Sequence, residues 1–434
     1  MVAIAPFRAL RYNPDLVGSL DRVLAPPYDV ISPEEQEELY QASPHNVVRL
    51  IYGRRLPDDD EQRNRYTRAK EAWARWRAEG VLIREEQPAV YLCEQTFVWE
   101  GRPARRLGVM ALLEFEGSAG QVLRHEATFQ GPKTDRAHVL EAVRANLSPV
   151  FCVAPDPQRR LHHFLDQITA EQPPLATARF RGDEVRLWAI TDPGAIGRIT
   201  GQMARLSVLI ADGHHRFEVA LAHRHLSASV MTYVALREDP ALVVRPIHRV
   251  CQVTGPMQQE WRKRLEALCR LEPRGSVEEL MQWLNATPGQ GCFGYYDAGG
   301  FYAVSLREAV MAEWLLRPSV PPALAGLDVT ILHQALLPTL HPAPQGSPVC
   351  QVGSRPWGGV HGANGQECWY TPDHEQAIER ARQYGPQGCA WLLRPIPLAQ
   401  VFAVAREGLP LPQKSTFFYP KVLSGLVFNP FDDG

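Results

Sequence analysis

Two features that would place this chain of 434 residues in a membrane or a secretory pathway are missing from its sequence. No apolar run approaches the roughly 20 residues that a membrane-spanning helix needs. The first residues, 1–8, lack the charged segment and the long apolar core of a signal peptide. We therefore expect a cytoplasmic protein without a membrane partner.

The sequence also lacks an excess of charge, because 46 basic residues stand against 48 acidic ones and the formal net charge is −2. A protein that binds DNA regardless of sequence normally carries a basic excess. We therefore do not expect nucleic acid as a partner, although a local basic pocket is compatible with this total. Lysine in particular is scarce, and its five positions are Lys70, Lys133, Lys263, Lys414 and Lys421.

Several common motifs are absent as well. The eight cysteines are widely spaced without a Cys-x-x-Cys pair, which argues against a zinc ribbon and against a disulfide framework. No Gly-x-Ser-x-Gly elbow occurs, and the glycine-rich region 353–365 has neither the Walker nor the dinucleotide spacing. Several hydrolase classes are therefore disfavoured.

What the sequence does contain is an apolar run, 206–210, that leads into Asp212-Gly213-His214-His215-Arg216 and then into a helical pattern. The run predicts a buried strand, and Asp-Gly predicts a sharp turn. The first N–H groups and the dipole of the following helix favour an anion above the turn.

We predict that the turn 212–216 holds phosphate through its backbone N–H groups, Arg216 and one of the two histidines. Asp212 has three candidate roles, namely to orient a metal-bound water, to bind a ribose or to cap the helix. The alternative interpretation is a capped structural turn with solvated histidines.

A second group of charged residues lies in 124–136. Phosphoryl transfer requires positive charge around the phosphates and one carboxylate that accepts a hydroxyl proton or binds magnesium. Lys133 and Arg136 are candidates for the positive charge, and Glu126, next to His125, or Asp29 is a candidate for the carboxylate. The alternative for Glu126 is a surface ion pair with a neighbouring arginine.

A third group, near the end of the printed sequence, combines Lys414 and Lys421 with the hydroxyl groups of Ser415, Thr416 and Tyr419. Such a loop is able to close over a phosphorylated ligand, with Lys414 as a point charge. It is equally able to attach the following segment to the core.

The remaining sequence alternates between helical and strand patterns and predicts a mixed α/β protein. Ser32-Pro33 is typical of a helix start, a long helix is predicted over 58–79, and Thr134 is a candidate helix cap. Beyond 250, the patterns predict two amphipathic helices, a hairpin over 292–305 and a helix over 398–406. Residues 318–322 and 341–348 are candidate linkers.

Four segments resemble the domain-of-unknown-function family 1015 (DUF1015), and together they extend over nearly the whole chain. They are Asp212–Arg216; Leu24–Val30; Arg124–Thr128 through Asn146–Pro149; and Pro412–Thr416 through Tyr419–Lys421. Phe217 is a small departure, since tyrosine is commoner there. The Asp-Gly-His-His-Arg turn is more remotely similar to the ParB/sulfiredoxin-like fold, in which sulfiredoxins, free serine kinases and ParB proteins hold nucleotide phosphates at this turn.

The resemblance implies a ParB/sulfiredoxin-like nucleotide- or phosphate-binding domain over 1–250 and an α+β domain over 251–434 that closes the site. It implies a nucleotide-dependent phosphotransferase that acts on a small hydroxyl metabolite such as serine, with ATP or ADP and Mg²⁺ as cofactors. The alternatives are a small-molecule phosphatase of the phosphoserine type and a non-enzymatic, nucleotide-responsive binding protein of the ParB type.

Under the phosphotransferase hypothesis, each candidate residue has a role. The catalytic candidates are Glu126, Asp29 and His125. The metal candidates are Asp212 and Glu126. The nucleotide-binding candidates are Asp212, Gly213, His214, His215, Arg216, Lys133, Arg136 and Lys414.

Overall fold

The computed structural model describes residues 1–128, 130–253, 257–340, 360–361 and 367–431. Its strands are β1 (Ile4–Ala5), β2 (Leu10–Tyr12), β3 (Leu82–Arg84), β4 (Val90–Trp99), β5 (Arg102–Glu114), β6 (Val122–Leu123), β7 (Ala145–Asn146), β8 (Val150–Ala154), β9 (Ala176–Phe180), β10 (Asp183–Ile190), β11 (Val208–Asp212), β12 (Ser229–Leu236), β13 (Val243–Arg245), β14 (His248–Gln252), β15 (Cys269–Arg274), β16 (Cys292–Asp297), β17 (Gly300–Leu306), β18 (Val360–His361), β19 (Glu367–Thr371), β20 (Gly388–Leu392), β21 (Phe417–Tyr419) and β22 (Asn429–Pro430).

The α-helices are α1 (Pro14–Val17), α2 (Pro33–Ala42), α3 (Val48–Ile51), α4 (Arg65–Ala78), α5 (Gln130–Val143), α6 (Arg160–Glu171), α7 (Pro193–Met203), α8 (His214–Ala222), α9 (Met257–Leu268), α10 (Val277–Ala286), α11 (Glu308–Leu315), α12 (Pro322–Ala325), α13 (Asp328–Ile331), α14 (Leu337–Leu340), α15 (His374–Gln383) and α16 (Leu398–Arg406). Helices and strands thus alternate through the chain, which confirms the mixed α/β class. Within the described ranges, no helix combines the length and the apolarity required to cross a bilayer.

The chain divides into two compact units. Unit 1 consists of residues 1–124, 130–243 and 418–434, and unit 2 consists of residues 125–129 and 244–417. The domain boundary predicted at 250 stays a prediction, and the segment from 418 onwards belongs to unit 1.

Unit 1 is built on a nine-stranded mixed sheet with the order β6-β11-β8-β12-β5-β4-β10-β9, in which β1 also pairs with β5. The pairs β11–β6 and β12–β8 are parallel, and the other pairs are antiparallel. Val150, Ile210 and Val234 from neighbouring strands are almost fully buried in one hydrophobic core of this unit. The sheet therefore places β11 in the interior, and the end of that strand has a fixed position.

A second core of unit 1 contains Trp73 and Trp76 of α4 together with Phe428. The helix predicted over 58–79 begins only at Arg65, because Asn64 caps it with a side-chain bond to the Thr67 N–H. Just before it, the Asp60 carboxylate accepts N–H bonds from residues 62 and 63, and this local turn replaces helical bonds.

Of two helix starts that local signals predicted, one agrees with the structure and one does not. Ser32 caps α2 by accepting the Glu35 N–H at 3.1 Å, as predicted. Helix α5 begins at Gln130, four residues before the cap predicted at Thr134. Pro132 lies in the first turn of this helix, where backbone N–H groups have no acceptor within the helix. A proline there therefore costs no helical hydrogen bond.

Unit 2 contains a seven-stranded sheet with the order β15-β17-β16-β20-β14-β19-β18. Leu280, Ala377 and Ala390 are buried in the core between this sheet and helices α10 and α15. The structure confirms the predicted hairpin as β16–β17 and the predicted helices as α9, α10 and α16. The linker candidate 318–322 runs into α12, whereas 341–348 and nearly all of 353–365 lie outside the described residues.

Candidate functional site

The turn between β11 and α8 forms as the sequence predicts. β11 is buried along its length and ends at Asp212, and α8 begins at His214. Gly213 between them has φ +88°, a left-handed conformation that glycine adopts without a steric penalty. The N-cap residue of α8 is Gly213 itself, which has no side chain to cap the helix.

Gly213 is also required by close packing. A Cβ atom at this position would lie 2.9 Å from both Cζ and one terminal nitrogen of Arg216. The guanidinium group therefore lies directly against the backbone of the turn. Asp212, Gly213 and Arg216 form one interdependent unit rather than three separate signals.

Both carboxylate oxygens of Asp212 contact cations. Arg216 donates to Oδ2 at 2.6 Å, and the Lys421 ammonium donates to Oδ1. The three side chains are only 10–12% exposed. Arg216 also donates to the Pro149 carbonyl, and its buried Nε has no hydrogen-bond partner among the residues that the structure describes. This cluster thus carries one more positive than negative charge.

A second cluster in unit 1 surrounds Asp135. Arg65 donates to one of its carboxylate oxygens, and Arg136 donates to the other with Nε at 3.0 Å. Burial raises the pKa of Asp135, but the two guanidinium groups outweigh it and hold the pKa below its usual value. The Arg136 guanidinium also lies 3.7 Å from the centre of the Tyr28 ring. Asp135 therefore stays ionised, and this cluster again has one extra cation.

A third cluster is centred on Glu218 of α8. Arg124 and Lys133 lie 3.6 and 3.5 Å from its two carboxylate oxygens. Their side chains are 53% and 31% exposed, which makes this cluster the most open of the three. The predicted residue Lys133 is therefore in unit 1, on the same helix–helix pair, α5 and α8, as Arg136 and Arg216.

Two buried side chains connect the clusters electrostatically. Burial raises the pKa of the Tyr28 hydroxyl, whereas Arg136 and Arg216 both lower it. Burial lowers the pKa of His214 to about 3. Asp212 raises this pKa, whereas His215, Lys421 and Arg124 lower it further. His214 is therefore neutral at neutral pH, and it is not one of the cations of the site.

Asp29 contributes a different feature to unit 1. One of its carboxylate oxygens, Oδ1, is buried and accepts no hydrogen bond from the part of the chain that is described. Asp29 also acts on the Tyr28 hydroxyl, as do Arg136 and Arg216. The predicted base, Asp29, thus lies near Arg136 and Arg216, and its Oδ1 is able to accept a further hydrogen bond.

Sequence reasoning did not assign Lys421 to the site. Its position depends on Arg106, a fully buried residue that donates to the carbonyls of Tyr419 at 3.1 Å and Pro420 at 2.6 Å. Gln95 donates to the Lys421 carbonyl at 3.0 Å. The available signal was the scarcity of lysine together with the family-like segment that contains Lys421.

The other three predicted residues belong to unit 2 and form a different arrangement. The ring Nε2 of His125 lies 3.0 Å from the Thr416 hydroxyl, and Glu126 accepts the backbone N–H of Lys414 at 2.9 Å. The Lys414 side chain is exposed, and its backbone has φ +54°. Arg249, itself buried, donates to the carbonyl of Lys414 at 3.1 Å. These contacts stabilise a turn.

The metal predicted at Asp212 and Glu126 stays a prediction. Both oxygens of Asp212 already accept hydrogen bonds from cations, which a metal ion would have to displace. Over the described ranges, no group of three or more His, Cys, Asp or Glu side chains is arranged to hold a metal ion.

Comparison with known proteins identifies a family but no activity. The sequence profile of DUF1015, described as a protein of unknown function, matches residues 4–330. No curated protein matches the chain.

Solved structures that are similar include SbnI with a C-terminal truncation from Staphylococcus aureus (11% identity, 75% of this chain and 90% of that chain covered, TM-score 0.35). They also include a free serine kinase in complex with AMP (10% identity, 72% and 86% covered, TM-score 0.33). A third is a conserved hypothetical protein from Pyrococcus furiosus (11% identity, 73% and 92% covered, TM-score 0.33). At these scores, the likeness carries no argument about activity.

Proposed function

The chain belongs to the DUF1015 family, and from the geometry of unit 1 we propose that it binds the phosphate groups of a nucleotide, ATP or ADP, and transfers a phosphoryl group to a small hydroxyl metabolite such as serine. The observation that carries this proposal is the repeated pattern of one carboxylate held by two cations. It occurs at Asp212, Asp135 and Glu218.

The pattern favours phosphate because each cluster contains two cations for one carboxylate. Carboxylates fix the arginine and lysine side chains in place before a ligand arrives, which lowers the entropic cost of binding. A polyphosphate chain carries several negative charges, and it complements three separate excess charges better than a single carboxylate ligand does.

The β11–α8 turn supplies the most specific contact of this proposal. The N-terminus of α8 directs the positive end of the helix dipole towards this turn. Arg216 adds a buried Nε donor that has no acceptor within the described ranges. We assign a phosphate to this turn, with Arg216 and Lys421 as its charged ligands.

Asp29 is the base in this proposal. Its free carboxylate oxygen accepts the proton of the attacking hydroxyl, and the hydroxyl oxygen forms a bond to phosphorus while the bond to the nucleotide oxygen breaks. The cations neutralise the charge that remains on the nucleotide. No metal is assigned to Asp212. The roles predicted for His125, Glu126 and Lys414 in unit 2 stay predictions.

The first test is thermal stabilisation of the full chain by ATP, ADP, CTP and phosphoserine, each with and without magnesium. A ligand that binds only the folded protein at about 100 times its Kd adds about 2.7 kcal/mol. We expect ATP or ADP to raise Tm and Arg216→Met to abolish this shift, because a charge-assisted contact contributes about 1.5–3 kcal/mol. Lys421→Met should weaken binding about 10- to 100-fold by the same argument.

The matched controls are exposed residues of the same types. Arg224 follows α8, and Lys70 lies on α4, and both side chains are exposed. Arg224→Met and Lys70→Met should leave the nucleotide shift unchanged. Stabilisation by phosphoserine alone would favour the phosphatase, and nucleotide binding without transfer to serine or another hydroxyl compound would favour the non-enzymatic alternative. An unchanged shift in Arg216→Met would refute the assigned phosphate site.

A further inference from the structure

Three cysteines of unit 2 form a row across three neighbouring strands. Cys251 of β14 lies directly opposite Cys368 of β19 and, on its other side, directly opposite Cys389 of β20. Residues that are directly opposite in an antiparallel sheet project from the same face. The three thiols therefore share one face of the sheet.

The thiols of Cys251 and Cys368 are in direct contact, with their sulfur atoms 3.3 Å apart. Directly opposite residues of antiparallel strands lie within the range of Cα separations that a disulfide spans. Only a small side-chain rotation is then needed to bring the two sulfur atoms to bonding distance. The strand pairing, rather than chance contact between mobile loops, sets this geometry.

Access to the pair is asymmetric. Cys368 is partly exposed, whereas Cys251 and Cys389 are 1% and 2% exposed. A small oxidant therefore reaches Cys368 first. Cys251 lies behind it, in position to attack the product.

One buried cation lies close to the pair. Arg249 lies two residues before Cys251 on β14, so it projects from the same face. The hydrogen bond between the two thiols lowers the pKa of Cys251 and raises that of Cys368, and burial raises both, so that each pKa is well above its usual value. The buried guanidinium of Arg249 opposes part of this increase. A nearby cation stabilises the thiolate, which is the reactive form.

We propose that Cys251 and Cys368 are a redox modification site that forms a reversible disulfide with low-molecular-weight disulfides as co-reactants. The Cys368 thiolate attacks one sulfur of the small disulfide, a mixed disulfide forms, and one small thiol leaves. The Cys251 thiolate then attacks the Cys368 sulfur and releases the second small thiol. Two protein thiols are oxidised, and one small disulfide is reduced to two thiols.

The test treats the native full chain with 2-hydroxyethyl disulfide, followed by alkylation and mass spectrometry. Digestion with trypsin and a glutamate-specific protease cuts after Glu367, which separates Cys368 from Cys350. We expect a linked pair of peptides that contain Cys251 and Cys368, and we expect dithiothreitol to reverse the linkage. The bond would close a loop of 117 residues, so the oxidised protein should also have a Tm several degrees higher.

Single variants separate the two steps. Cys251→Ala should stop the reaction at a stable mixed disulfide on Cys368, whereas Cys368→Ala should prevent the 251–368 linkage entirely. Cys389→Ala, and Cys152→Ala in the core of unit 1, should leave that linkage intact. A persistent adduct on Cys368 in the unaltered chain, linkage to any other cysteine, or reaction only after denaturation would overturn the proposal.

Discussion

The surroundings of Lys421 in unit 1 and of Lys414 in unit 2 contain the same types of residue but use them differently. Each lysine has a carboxylate near it and a buried arginine that holds nearby backbone carbonyls, namely Arg106 in unit 1 and Arg249 in unit 2. Around Lys421, the ammonium group itself contacts the carboxylate of Asp212. Around Lys414, the carboxylate of Glu126 accepts the backbone N–H instead.

This difference separates a preorganised cationic site from a stabilised turn. A lysine whose ammonium is held at 11% exposure has already lost much of its side-chain freedom. A phosphate that binds there does not have to order it. An exposed lysine such as Lys414 would lose that freedom on binding, so its contribution to affinity is smaller.

The largest expected effect comes from Gly213→Ala in unit 1. A residue other than glycine at φ +88° is strained by about 1–2 kcal/mol, and the new Cβ would also displace the Arg216 guanidinium. We expect a lower free energy of unfolding and a loss of nucleotide affinity of 100-fold or more, by the loss of two charge-assisted contacts at about 1.5 kcal/mol each. Chemical denaturation and calorimetric titration with ATP measure the two effects.

Gly408→Ala in unit 2 is the matched control. Gly408 has φ +68°, but its missing Cβ would contact nothing within 4 Å. Gly408→Ala should lower the free energy of unfolding through the backbone strain alone, and the variant should bind ATP normally. If Gly213→Ala behaved like Gly408→Ala in both measurements, the packing of Arg216 against the turn would not matter for binding.

The next prediction compares the two buried arginines. Arg106→Met and Arg249→Met should each lower the free energy of unfolding by several kcal/mol, because buried carbonyls left without donors cost about 1–3 kcal/mol apiece. Only Arg106→Met should also reduce ATP affinity, by about 10-fold, since it alone releases the backbone that carries Lys421. Titration is done at a temperature where both variants are folded. Equal affinity losses would contradict the assignment of nucleotide binding to unit 1.

The smallest expected effect is in the pH dependence of stability. Burial lowers the pKa of His248 and His333 in unit 2, and of His214 in unit 1, to about 3. The unfolded chain takes up these protons near pH 6.5 and the folded chain does not, so stability falls with pH below 6.5. Each histidine should cost about 1.5 kcal/mol between pH 6.5 and 5.

From these three histidines, unit 2 should therefore lose about 3 kcal/mol and unit 1 about half of that over this interval. Hydrogen exchange at both pH values, corrected for the intrinsic exchange rate, measures the difference unit by unit. His333→Gln should reduce the pH dependence of unit 2, because the ring of His333 accepts a hydrogen bond from Arg249 only while Nε2 is unprotonated. Equal slopes in the two units would contradict this account.

Local signals explain what could be predicted from the sequence. Ser32-Pro33 and the apolar spacing of 398–406 each determine an element through neighbours within a few residues, and both predictions hold. The Asp212-Gly213 turn is equally local. The same reasoning erred at Thr134, because the first turn of α5 tolerates Pro132, and at 58–64, because Asp60 competes for the backbone N–H groups.

Long-range contacts explain what could not be predicted. Lys421, the second cation on Asp212, is 209 residues away in sequence, and no spacing rule connects the two residues. The contacts of Arg106 with the backbone at 419 and 420 depend on the register of the β4–β5 pair. The division of the predicted site residues between two units was likewise invisible, since Arg124 and His125 are neighbours in sequence but belong to different units.

The pairing of Asp212 with Lys421 also sets an order of events on the ribosome. Lys421 is synthesised 209 residues after Asp212, and at 5–20 residues per second this is a delay of about 10 to 40 s. During this interval, the nascent chain contains Arg216 but not the second cation of the Asp212 cluster. A chain whose translation stops before Lys421 therefore lacks the complete cluster, and on the proposed function only chains translated past that residue reach full nucleotide affinity.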